Sequence, residues 1–171
     1  MRIKKLFPGH SNYTVNIVPF LITIISIYLM ASVFEAKAAV VTHSGTIGAH
    51  TTWLRADVHQ VIGTVTVSPG IVLTIESGTV VKFNSGTSLN IDGALDAVGN
   101  PSEKIVFTSY RDDSFVGDTN GDGFSTGQPG DWGRISFSDS VTDSLTHLEY
   151  AIIRYGGSGN QGNVYIANAD I

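Results

Sequence analysis

The sequence predicts an all-β fold wound as a right-handed parallel β-helix, a solenoid of about four coils, and three observations carry that expectation. Beyond Val61 the chain falls into short β-favouring runs, each closed by a turn signal: TVTV from residue 64, IVLTI from 71, TVVKF from 79, SLNI from 88 and KIVFTS from 104. Glycines stand at 63, 70, 78, 86, 93 and 99, six to eight residues apart, and no window keeps the periodicity of a helix. Three such units make a longer repeat. Gly63 and Gly86 are 23 residues apart, as are Gly70 and Gly93, while Val65/Val67 precede Leu89/Ile91 by 24 and Val81/Phe83 precede Ile105/Phe107 by 24.

A repeat of three short strands stacks each strand in parallel on its counterpart one coil later, about 4.8 Å away. Glycine at each bend supplies the positive φ of a sharp turn. Alternation then sends Val65, Val67, Leu73, Ile75, Val81 and Phe83 into one core and Thr66, Thr74 and Lys82 to water. The competing architecture is an antiparallel β-sandwich. It leaves the three-unit repeat unexplained and calls for Asn-Gly or Asp-Gly hairpin turns, which the ESG and NSG turns between the repeat strands lack, the IDG at residues 91–93 being the exception.

From the amino terminus, Arg2, Lys4 and Lys5 precede an apolar run from Phe20 to Phe34 and then Ala36-Lys37-Ala38. That is the pattern of a signal peptide, residues 1–38, cleaved after Ala38, and it predicts a secreted or cell-surface protein. The apolar run is shorter than the roughly 20 residues of a membrane span, and an uncleaved anchor is the alternative. Residues 39–62 are expected to cap the solenoid, with Trp53 and Leu54 plugging the first coil. Residues 63–171 form the coils, interrupted at 110–133 by a 24-residue loop with six glycines and five aspartates. Strands resume with RISF at 134, LEYAIIRY at 148 and NVYIA at 163. No cap is legible after Ile166, so the carboxyl end reads as an incomplete solenoid, expected to continue into further coils or to associate end to end with another chain.

Composition narrows the function. Cysteine is absent, which excludes disulfides, thiolate metal sites and a thiol nucleophile. The net charge is −5 for the whole chain. It becomes −8 once residues 1–38, with four cations and one acid, are removed, which argues against nucleic-acid partners.

The stretch GTVTVSPGIVLTIESGTVVKFNSGTSLNIDGALDAVGNPSEKIVFTS, followed by GDWGRISF and LEYAIIRYGG, resembles the opening coils of right-handed β-helix regions in large exported bacterial proteins, within the wider group of pectate-lyase-like solenoids. The resemblance spans about Thr46 to Ile171 and implies an architecture more than an activity. In the enzymes of that group it would imply calcium-bound acids and an arginine base, for which Arg134 and Arg154 are the candidates here. Neither lies in a motif with the aspartates, and Arg134 after Trp132-Gly133 reads as an arginine covering an aromatic ring.

Within the loop, Asp118-Thr119-Asn120-Gly121-Asp122-Gly123 matches D-x-N-x-D-G, the first half of a calcium loop. Oxygen ligands at alternate positions, with glycine letting the chain wrap, suit a hard cation, so Asp118, Asn120 and Asp122 are the expected Ca²⁺ ligands. The glutamate of an EF-hand is replaced by Pro129, so a further ligand is needed from Asp112, Asp113 or Asp131. His43, His50, His59 and His147 lack metal-ligand spacing and read as single surface histidines. Trp132, Tyr150, Tyr155 and Tyr165 are candidate sugar-stacking residues for a polysaccharide or cell-surface glycan, with core packing the plainer reading. The function expected is a non-catalytic surface or matrix scaffold that binds calcium and glycans; a polysaccharide lyase or hydrolase of the same fold is the alternative.

Overall fold

The computed structural model describes residues 38–167, so the expected signal sequence lies outside the described residues except for Ala38. Twelve strands follow one another: β1 (Val40–Ile47), β2 (Thr51–Trp53), β3 (Val58–Val67), β4 (Val72–Ile75), β5 (Val80–Phe83), β6 (Leu89–Ile91), β7 (Ala94–Val98), β8 (Ile105–Ser109), β9 (Ile135–Phe137), β10 (His147–Glu149), β11 (Ala151–Ile153) and β12 (Val164–Ile166). The only helical element among the described residues is one 3-10 turn at Asp143–Leu145. Every ladder among them is parallel, which excludes an antiparallel sandwich for this part of the chain.

Two sheets result. The larger runs β11-β8-β5-β3-β6-β9-β12, with β1 also on β3; the smaller runs β10-β7-β4-β2. The ten-residue β3 joins the two halves of the larger sheet, because its first residues pair with β5 and its last with β6. Residues 39–62, the expected capping segment, thus supply β1, β2 and the start of β3. Trp53 is buried, whereas Leu54 is exposed.

The expected register between Val65/Val67 and Leu89/Ile91 is the one observed. The other expected pairing is displaced: Val81 lies opposite Phe107, not Ile105, so the offset is 26 residues rather than 24. The extra length sits in the turn after Gly99, where Asn100 and Glu103 exchange backbone hydrogen bonds at 3.3 Å and the Asn100 side chain accepts from the Ser102 and Glu103 amides. A shift of two keeps every side chain on its expected face.

Val65, Val67, Leu73, Ile75, Val81 and Phe83 are each 1% exposed or less and share one core with Leu89, Ile91, Phe107, Trp132 and Phe137. Burying each such aliphatic or Phe side chain contributes roughly 1.5–3 kcal/mol before the entropy of ordering is subtracted. The bend glycines divide into two kinds. Gly70, Gly78 and Gly86 have the expected positive φ of 77°, 83° and 73°. Gly63, Gly93 and Gly99 do not: Gly63 lies inside β3, and a Cβ would lie 2.2 Å from the Ser68 carbonyl oxygen at Gly93 and 2.7 Å from the Tyr150 carbonyl oxygen at Gly99, so at these two the requirement is close approach of two chain segments.

Two further expectations fail on local geometry. The run LEYAIIRY is broken at Tyr150, whose φ of 46° turns the chain from β10 in one sheet to β11 in the other. Lys82, expected in water, is 0% exposed. It does stand on the outer face of β5, but the 110–133 loop folds back across that face, and its ammonium donates to the Gly117 carbonyl and the Thr119 hydroxyl, both at 2.9 Å.

Candidate functional site

The loop leaves the end of β8 and is fixed at both ends by carboxylates. Asp112, 1% exposed, accepts from Arg154 Nε at 2.8 Å and from a second guanidinium nitrogen through Oδ2, which also takes the Thr108 hydroxyl; its Oδ1 accepts from the Ser114 hydroxyl at 2.7 Å. Burial pushes the Asp112 carboxyl up, but the bonds from Arg154, Thr108 and Ser114 outweigh it and hold the group below the usual carboxylate range. At the other end Asp131 Oδ2 accepts from the Ser109 hydroxyl at 2.7 Å and the Gln128 amide at 2.9 Å, with Arg111 3.9 Å from its Oδ1. Two of the three aspartates offered as a further ligand are therefore engaged in holding the loop to the sheet.

The third is not. Asp113 is 7% exposed; its Oδ2 accepts from the Ser125 amide at 2.6 Å, and its Oδ1 is buried with no hydrogen-bond partner. One carboxylate oxygen from each of Asp113, Asp118 and Asp122 lies within 4.8 Å of the other two.

The D-x-N-x-D-G segment is wrapped by its own backbone. Asp118 Oδ1 accepts from the Gly121 amide at 2.6 Å and Oδ2 from the Gly123 amide at 3.0 Å. The Gly121 bond lowers the Asp118 carboxyl most; burial opposes it, and the bonds from the Gly123, Asn120 and Asp122 backbone help keep the group below its ordinary range. Gly121 and Gly123 take φ of 76° and 85°, conformations that let the chain curl around the carboxylate. The Asn120 amide lies against Asp122, donating to its Oδ2 at 2.9 Å.

The candidate arginines have other partners. Arg154 holds Asp112 and lies over the rings of Phe115 and Tyr155 at 4.6 and 4.9 Å. Arg134 lies 4.5 Å over Tyr165, the covering role its sequence context suggested, though the ring is on β12 and not the adjacent Trp132. Trp132 is 0% exposed, stacked on Phe83 at 4.1 Å with its indole N–H donating to the Arg154 carbonyl at 2.9 Å, and so is unavailable to a sugar. Tyr155 packs against the core; Tyr150 and Tyr165 are exposed.

The histidines depart from the surface expectation at one place. His59 is buried, its Nε2–H donating to the Leu54 carbonyl at 3.0 Å, while its Nδ1 meets His43 Nε2 at 2.8 Å. Both rings stack with Trp53, at 4.3 Å for His43 and 5.1 Å for His59. No short motif signals this, because His43, Trp53 and His59 stand on three different strands, β1, β2 and β3, and meet only in the fold. Comparison with protein-family models, with curated proteins and with solved structures finds no match to this chain.

Proposed function

We propose that this chain is an exported, non-catalytic scaffold segment wound as a right-handed parallel β-helix. The observation that carries the reading is the order of strand stacking. Successive passages β1 to β2, β3 to β4, β5 to β7 and β8 to β10 each contribute to the same three rows, and β11 and β12 begin another. Right-handed winding follows from the strong preference of parallel crossover connections. Four passages of this kind build a rod with a continuous core and laterally displayed turns, which suits a surface or matrix spacer. Its address comes from the basic, apolar and Ala-x-Ala series within residues 1–38.

The exposed Tyr150 and Tyr165 rings support contact with surface glycans, and the edges of β10, β11 and β12 suit end-to-end pairing with another chain. Engagement of Arg154 by Asp112 supports the non-catalytic reading over the lyase alternative, since a base must be free to take a proton. The test is incubation of the purified protein with uronate polymers in calcium, following ultraviolet absorbance of unsaturated products. A scaffold gives no rise; a rise abolished by Arg154→Lys or Arg134→Lys makes the chain a lyase.

A further inference from the structure

We propose that Asp113, Asp118 and Asp122 form a calcium site that fastens the 110–133 loop across the outer face of the sheet. The inference stands apart from the scaffold reading, which holds whether or not an ion binds. It adds to the D-x-N-x-D-G segment a ligand five residues upstream that the sequence pattern does not single out.

Three independent features meet there. Asp113 has a buried Oδ1 without a hydrogen-bond partner, and a carboxylate oxygen left so is costly unless something positive completes it. The three carboxylates converge to within 4.8 Å, comparable with the widest separation of two oxygens on one calcium ion, about 4.6–5.2 Å for bonds of 2.3–2.6 Å. The loop is also acidic, with five aspartates and one arginine in residues 110–133. Asp112 is matched by Arg154 and Asp131 faces Arg111. Asp113, Asp118 and Asp122 then stand against the Lys82 ammonium, whose contacts with Gly117 and Thr119 flank Asp118.

The donor chemistry selects the ion. Every side chain offered is a hard oxygen donor, with no cysteine in the chain and no histidine in the group, which favours calcium over zinc or copper. The Asn120 amide oxygen, a backbone carbonyl and water complete six to eight ligands. The Gly121 and Gly123 amides already hold Asp118 in the wrapped form, so little ordering is left for the ion to impose.

Calcium chloride titrated into the protein by calorimetry tests the site, alongside tryptic cleavage after the exposed Arg111 with and without the ion. One calcium per chain is expected, with affinity at least tenfold weaker in Asp113→Asn and Asp122→Asn and unchanged in Asp139→Asn. Calcium should slow cleavage after Arg111 about tenfold in the wild type and not in Asp122→Asn, an exposed substitution that spares the buried Asp113. Absence of saturable binding at millimolar calcium, or wild-type affinity and protection in Asp122→Asn, overturns the proposal.

Discussion

Arg154 and Asp112, 42 residues apart in sequence, are joined by two guanidinium nitrogens on one carboxylate oxygen, and this pair ties the base of the 110–133 loop to the chain just past β11. The Asp112 side chain is buried while that of Arg154 is 32% exposed, so the two partners are unequal. Removing the arginine strands a charge inside the protein; removing the carboxylate frees a cation that reaches water.

Arg154→Ala is accordingly expected to lower unfolding free energy by about 3 kcal/mol, the low end for breaking a buried pair. Asp112→Asn should cost less, and the double variant less than the sum of the two. Chemical denaturation of the four proteins measures the coupling.

Trp132→Ala should cost about 3–5 kcal/mol, because the ring is buried against Phe83 and its N–H is satisfied. The other tryptophan, Trp53, is also buried, so native fluorescence should be blue-shifted and resist iodide quenching. Quenching comparable to free indole would contradict both placements.

Lys82→Met keeps the stem that covers β5 but removes the donors to Gly117 and Thr119. A loss of about 1–3 kcal/mol is expected from the unpaired loop acceptors, with faster proteolysis confined to residues 110–133. Uniform acceleration across the chain would place Lys82 outside loop retention.

Acid should weaken the first strands. Burial, and then the neighbouring His59, lower the His43 pKa from its ordinary 6.5 to about 4; His59 is lowered too, by burial acting against its Leu54 bond and Asp57. For His43 the unfolded chain binds a proton below 6.5 that the folded chain refuses until about 4. Its contribution is whole above pH 6.5, declines as pH falls through that window and is lost below it. Melting temperature followed from pH 7.5 to 4 should fall, and His43→Phe, which keeps a ring on Trp53, should fall less.

The repeat was legible where turns are short. Val65 and Leu89 are separated by glycine bends that leave no slack, so their spacing reads directly as register. Val81 and Phe107 are separated by the Asn100–Glu103 turn, whose side-chain bonds add two residues without any change in hydrophobic pattern. The loop's composition marked it as an excursion, but its return path over β5 is tertiary. Hence neither the burial of Lys82 nor the orphaned oxygen of Asp113 could be read from spacing. The His43–Trp53–His59 stack is hidden for the same reason, since it brings together side chains of β1, β2 and β3 from two different sheets.

The most direct measurement uses the absence of native cysteine. Asn90 and Ser136 are half-buried register partners in β6 and β9 although 46 residues and the whole loop lie between them. Adjacent parallel strands place partner Cα atoms within the 4.4–6.8 Å a disulfide bridges. In Asn90→Cys/Ser136→Cys, mild oxidation should give an intramolecular disulfide in nearly every molecule, with little change in melting temperature. The out-of-register pair Asn90→Cys/Ser138→Cys should form it poorly. No preference for position 136, or cross-linking only between molecules, would contradict parallel stacking of the coils across the loop.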